Sequence, residues 1–150
     1  MNIETLLDPR TGAFILSGQP GLGAVSLMRE AAVASKTPVL FNANETGIED
    51  LNFKGAQNPS IIVLQVHDPV ALAECFHILR PGTVVFVERF DLMVRPTESA
   101  GILRYLLDEA KDHQLRLILN RHAHREDISK GVLQLISVKD LLSISSDPPT

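Results

Sequence analysis

The sequence predicts a three-layer α/β domain, a mostly parallel sheet with helices on both faces. Short apolar runs alternate with amphipathic helical stretches through most of the chain, the order that builds strand–helix–strand units. Two of those runs, residues 60–66 (SIIVLQV) and 83–87 (TVVFV), are continuously apolar rather than alternating, as strands covered on both faces must be. Turns rich in Gly, Pro and Asp separate the segments. Such a sheet is wound by right-handed crossovers and carries its site at the strands' C-terminal ends.

At 150 residues with 45% hydrophobic residues, the chain can bury one core. The expected organisation is a single domain over residues 1–142 and a frayed polar tail over 143–150. A formal net charge of -4 provides no global basic field toward nucleic acid or anionic lipid, so any DNA contact must be local. The single cysteine, Cys75, lies in an apolar helical pattern and offers neither a disulfide framework nor a thiolate metal site. No stretch reaches the roughly 20 apolar residues of a membrane span, and no signal-peptide pattern opens the chain. The expectation is a cytoplasmic protein with no membrane association.

In order, residues 1–12 read as a lead-in, with a turn at Asp8-Pro9 before the first strand. Residues 13–17 form that strand, and a helix follows with Leu27, Met28, Ala31 and Ala32 on one face, ending near Ser35 before Pro38. The second strand is 39–43. Thr46 to Glu49 has capping-box spacing, which predicts a short helix there and leaves Asn44 and Glu45 at the strand's end. The third strand is the run ending at Val66. Asp68-Pro69 is a helix start, with an N-cap and Pro at the first helical position. That helix should bury Leu72, Ala73, Cys75, Phe76 and Leu79 and stop at Pro81-Gly82. The fourth strand leads into Glu88 and Asp91, the latter read as facing solvent or capping local backbone. A helix from about Thr97 to His113 should bury Ile102, Leu103, Leu106, Leu107 and Ala110, with Arg104, Asp108, Glu109 and Lys111 toward water. A fifth strand (115–119), a polar loop and a sixth strand (132–138) complete the pattern.

The first strand breaks at Gly18 into a glycine-rich loop that opens the first helix. A loop of the form G-x-x-x-x-G-K-[ST] turns backbone N–H groups toward phosphate oxygens, while its Lys neutralises the outer phosphates and its hydroxyl holds magnesium. Residues Gly18, Gln19, Pro20, Gly21, Leu22 and Gly23 keep that spacing, but Ala24 stands at the Lys position and Val25 at the hydroxyl position, with Ser26 one residue late. A plain turn between strand and helix is the simpler reading of the same glycines.

In order and spacing the chain resembles the RecA-type ATPase core, in particular the DnaB-like replicative helicase branch, over about residues 13–140. Gly18 to Val25 stands where that family has its phosphate loop. Glu45 stands where those helicases keep a catalytic glutamate that polarises the attacking water. Glu88, in the run VVFVERFDLM, stands where a magnesium-binding Asp ends the fourth strand, and His122 where a Gln senses the γ-phosphate. Residues 123–130 correspond to the segment that carries DNA in active relatives, shorter here. Only Glu45 keeps the family's residue type among these four positions.

The resemblance implies a degenerate domain acting as a non-hydrolysing assembly or accessory subunit in DNA replication, recombination or repair, with a protein partner or a homo-oligomer. The rivals are an active nucleic-acid-dependent ATPase drawing its cation from Arg29, Lys54 or a neighbouring subunit, a RecA-like subunit of a tRNA-modification complex or a cell-division inhibitor, and a simple DNA-binding module. No cofactor is expected; ATP and magnesium enter only under the ATPase reading. Arg121, His122, His124 and Arg125 fit a solvated loop first, a weak nucleic-acid contact through Arg121 and Arg125 second, and a metal pair last, because His at i and i+2 without a nearby carboxylate is a poor ligand set. No metal site is expected.

Overall fold

The computed structural model describes residues 1–18, 21–46, 60–122 and 133–145. Six strands form one sheet in the order β3-β2-β4-β5-β1-β6, where β1 is Gly12–Gly18, β2 Val39–Asn42, β3 Ile61–Leu64, β4 Val84–Val87, β5 Arg116–His122 and β6 Gln134–Ser137. All pairings are parallel except β1 with β6. Helices α1 (Ile3–Leu6) and α2 (Ala24–Ala34) cover one face, and α3 (Pro69–Cys75), α4 (Ser99–Asp112) and α5 (Val138–Ser145) cover the other. This is the expected three-layer α/β architecture.

Alternation along the strands divides the core in two. Ala13, Ile15, Val85, Val87, Leu117 and Leu119 pack toward α3, α4 and α5, whereas Leu16, Phe41, Phe86 and Ile118 pack toward α1 and α2. Strands β1, β2 and β4 are buried along their whole length, the pattern of a parallel sheet's interior. The run at 60–66 does not share that position. It forms β3 at the sheet edge, half-buried, with Ile62 45% exposed. A continuously apolar run specifies a strand but not its rank in the sheet.

The helix starts follow their local signals. Asp68 caps α3 by accepting from the Val70 N–H at 3.0 Å, with Pro69 in the first turn. Asp8 accepts from the Arg10 N–H, making the turn into β1.

Three expectations change. Residues 3–6 are a helix: Asn2 caps it, and Leu6 is fully buried. Four residues are too few to show a period, and a tertiary contact anchors their end. Arg116, buried at the start of β5, donates to the carbonyls of Leu6 and Thr5 and lies 5.2 Å from the Phe14 ring centroid. The sixth strand is shorter than 132–138, because Val138 begins α5 and is buried with Leu142 against the core. Of the segment 143–150, residues 143–145 complete α5, and 146–150 lie outside the described residues. Glu109 is half-buried between two histidines rather than turned to water. Among the described residues no helix is long and apolar enough to cross a membrane.

Candidate functional site

Because β1, β2, β4 and β5 run parallel, the segments that leave their C-terminal ends converge at one end of the sheet. A cleft of about 370 Å³ opens there, lined by Gly18, Gly21, Gly23, Ala24, Val25, Ser26, Glu45, Arg89, Asn120 and His122. Three of the four expected positions meet in it: the glycine-rich loop, Glu45 and His122. Gln19 and Pro20 lie outside the described residues, as does the predicted helix beyond Thr46.

The loop's backbone has the shape its glycines allow. Gly21 has φ 90° and Gly23 φ 80°, a region that strains L side chains, and Gly23 is the N-cap of α2. As a glycine, Gly23 offers no side-chain acceptor to the first N–H groups of the helix. At Gly18 a Cβ would stand 2.3 Å from Leu133 Cδ2, so the end of that leucine side chain would have to move to admit one. Ala24 and Val25 line the cleft where the family pattern would place ammonium and hydroxyl, and Ser26, although one residue late, also reaches it.

The fourth expected position, Glu88, is fully buried and does not line the cleft. Its Oε1 accepts from the N–H groups of Glu45 (2.6 Å) and Thr46 (2.5 Å), and its Oε2 accepts from the Thr46 hydroxyl (2.5 Å). The same chain segment is tied down twice more. Asn44 donates to the Glu88 carbonyl at 2.7 Å, and the Asn42 side chain exchanges hydrogen bonds with the Val66 backbone at 2.8 and 2.9 Å. In this arrangement the carboxylate organises the turn after β2, holding Glu45 at the cleft's rim.

The cleft's guanidinium comes from a residue outside the sequence-based candidates. Arg89 adopts φ 49°, ψ 59°, a left-handed conformation uncommon for a non-glycine residue, and its N–H donates to Asn120 Oδ1 at 3.1 Å. The side chain donates to Glu45 at 3.0 Å and, through Nε and Nη2, to Asp91 at 3.0 and 2.7 Å. This fork holds the guanidinium pKa above its ordinary value, the Asp91 hydrogen bond contributing most and outweighing burial. On Asp91, burial alone would raise the pKa, but the hydrogen bonds and charge of Arg89 prevail and hold it below the usual carboxylate range. Asp91 is solvent-facing, as expected, with a backbone hydrogen bond of its own, and it is also the ion-pair partner of Arg89. The sequence signal was local, a base between two acids in Glu88-Arg89-Phe90-Asp91, but nothing in the spacing connects it to Glu45.

His122 pairs with Gly18 across β5 and β1, so it borders the loop. Arg121, its neighbour, donates to the Ser17 hydroxyl at 3.4 Å and lines a second depression beside Pro96, Ser99 and Leu103, whose lining also includes His122. His122 thus borders both the cleft and this depression. Arg125, His124 and Lys54 lie outside the described residues, and Arg29 is not in the cleft lining.

A triphosphate with magnesium would meet little counter-charge among the described residues of this cleft. Among the described residues its lining carries one guanidinium, already paired with two carboxylates, and no ammonium group. The carboxylate at the family's metal position is buried in hydrogen bonds to backbone and hydroxyl.

No protein-family model matches the chain, and no curated protein matches it. Among solved structures it is similar to a protein of Pyrococcus horikoshii OT3 (structural study of Project ID PH0250), with 15% identity and a TM-score of 0.54 over 96% of this chain and 84% of that one. That is a likeness of fold. A looser similarity, TM-score 0.45 and 14% identity over 75% of this chain, is to the cytoplasmic domain of the Thermomonospora curvata Type VII secretion ATPase EccC, of which this chain spans 16%.

Proposed function

We propose that this chain is a degenerate RecA/DnaB-like domain that serves as a non-hydrolysing assembly or accessory subunit, with DNA replication, recombination or repair as its setting. The observation that carries the reading is the state of the cleft's cation: Arg89 is held by Glu45 and Asp91, while Ala24 and Val25 occupy the positions of the family's Lys and hydroxyl. A triphosphate brings about four negative charges, and each contact with a helix N-terminus offsets only about 0.3 to 1 kcal/mol. Phosphoryl transfer depends on positioned cations, so their loss removes transition-state stabilisation rather than merely slowing turnover. What persists is the backbone shape of the loop, which supports a fold retained for assembly. By the resemblance, such cores contact one another or a partner beside the cleft.

Calorimetry with ATP and magnesium, followed by a phosphate-release assay, tests this. The expected result is no turnover and no binding tighter than about 10 μM, roughly 7 kcal/mol. Tighter binding, or turnover abolished by Glu45→Gln, overturns the reading in favour of an atypical ATPase. If instead the wild type is silent, Ala24→Lys with Val25→Thr should restore part of the affinity, because the Gly21 and Gly23 geometry does not depend on either side chain. Light scattering at micromolar concentration together with partner capture tests assembly; a lone monomer without a partner counts against it.

A further inference from the structure

Chemistry-bearing side chains also gather at the opposite end of the sheet, where chain segments enter β4 and β5. His77 lies in the 3₁₀ turn Phe76–Ile78 that finishes α3, and Glu109 and His113 are one turn apart at the end of α4. The Nε2 atoms of His77 and His113 stand 3.9 and 3.7 Å from the same Glu109 Oε2. The two imidazoles meet edge to face with centroids 4.5 Å apart. One ligand atom from each of the three residues lies within 4.8 Å of the others.

These separations are too long for hydrogen bonds. Ligands on a tetrahedral ion with bonds of about 2.0 to 2.1 Å stand roughly 3.4 Å from one another, so small side-chain rotations bring the three atoms to coordinating positions. Two imidazoles and a carboxylate are a donor set for zinc-class ions rather than for magnesium or calcium. The α4 pair is well anchored. Leu115 N–H donates to Ala110 O at 2.8 Å and Gln114 N–H to Lys111 O at 3.1 Å, with Gln114 at φ 56°, a closed helix end that fixes His113. Glu109 and His113 are 24% and 25% exposed, while His77, at 62%, has the freedom to complete the set.

The geometry points to a divalent transition-metal site formed by His77, Glu109 and His113. It clips the end of α3 to the end of α4 and leaves a coordination position for water. Its distance from the cleft makes it a structural clip, so its readout is binding and stability.

Titration calorimetry of the full chain with zinc chloride should give one site per chain with a Kd of about 10 μM or tighter. Zinc at a hundredfold excess over Kd should raise the thermal midpoint by about 5 to 10 °C. His77→Ala, at an exposed position that leaves the fold intact, should weaken binding at least tenfold and, at the same zinc concentration, cut the shift to about half or less, and Glu109→Gln should do likewise. Cys75→Ser, which removes the nearby thiol whose Sγ contacts the Ala71 carbonyl, should change neither. Binding only near millimolar zinc, or binding of undiminished affinity in His77→Ala, overturns the proposal and leaves the cluster as histidine–carboxylate pairing alone.

Discussion

Substituting Glu88 separates a carboxylate that organises a turn from one that serves a metal. The side chain is fully buried and accepts three hydrogen bonds, two from backbone N–H groups of Glu45 and Thr46 and one from the Thr46 hydroxyl. Hydrogen bonds to a charged partner contribute about 1.5 to 3 kcal/mol each, against about 0.5 to 1.5 for neutral ones. Glu88→Gln keeps an oxygen facing the two N–H groups, and its amide can face the Thr46 hydroxyl, which can turn to accept. The expected loss is the charged-to-neutral difference, about 1 kcal/mol for each of the three bonds and about 3 kcal/mol in all. Glu88→Ala leaves the two N–H groups without their acceptor and opens a void beside them, which should cost about 3 to 5 kcal/mol. Urea unfolding measures both, and a shift of midpoint at constant m assigns the loss to the folded state. If Glu88→Gln stays within about 0.5 kcal/mol of the parent, the carboxylate does not organise this turn, and its hydrogen bonds do not keep it from a metal.

Gly23→Ala should destabilise by about 1 kcal/mol, since an L side chain must adopt φ 80° at the cap of α2; thermal melts check this, and no change would show that the loop relaxes freely. Because the Asp91 carboxyl is held below its ordinary value in the folded chain, its pair with Arg89 stabilises at neutral pH, and that contribution is lost as pH falls below the usual carboxylate range. Asp91→Asn should remove this part of the acid dependence, about 0.5 to 1 kcal/mol for a pair near the surface, as measured by urea midpoints between neutral pH and pH about 3. Burial, aided by Arg10, lowers the Arg116 guanidinium to about 10, so the charged form is disfavoured by folding and stability should rise as pH climbs through that value toward the unfolded one. Arg116→Met removes both the buried charge and its bonds to the carbonyls of Thr5 and Leu6; faster amide exchange over residues 3–6 is expected, and unchanged exchange would show that α1 docks without it.

The sequence by itself determined the class of fold, because burial on both faces leaves its mark residue by residue. The runs at β1, β4 and β5, the Asp68-Pro69 start of α3 and the stripe of Leu103, Leu106, Leu107 and Ala110 on α4 are local patterns, and local patterns are legible in one dimension. The glycine spacing of the loop and the loss of its Lys and hydroxyl were likewise plain from residues 18–25. What depended on rank, pairing or distance was not. The apolar run of β3 looked interior and lies at an edge, since hydrophobicity records that a strand is covered but not by how much sheet. Helix α1 is too short for a period and is held by an arginine far along the chain. Tertiary structure also decided what the acids do: Glu88 turned inward to the backbone of a loop from another strand, and Arg89, in a left-handed conformation no pattern announces, joined Glu45 to Asp91 beside the cleft. Glu109 and His113 carried a readable i, i+4 spacing, but only the packing of α3 against α4 brought His77 to them. Side-chain chemistry is written in the chain, whereas the partner that engages each group is fixed by long-range contacts, which cannot be inferred from local order.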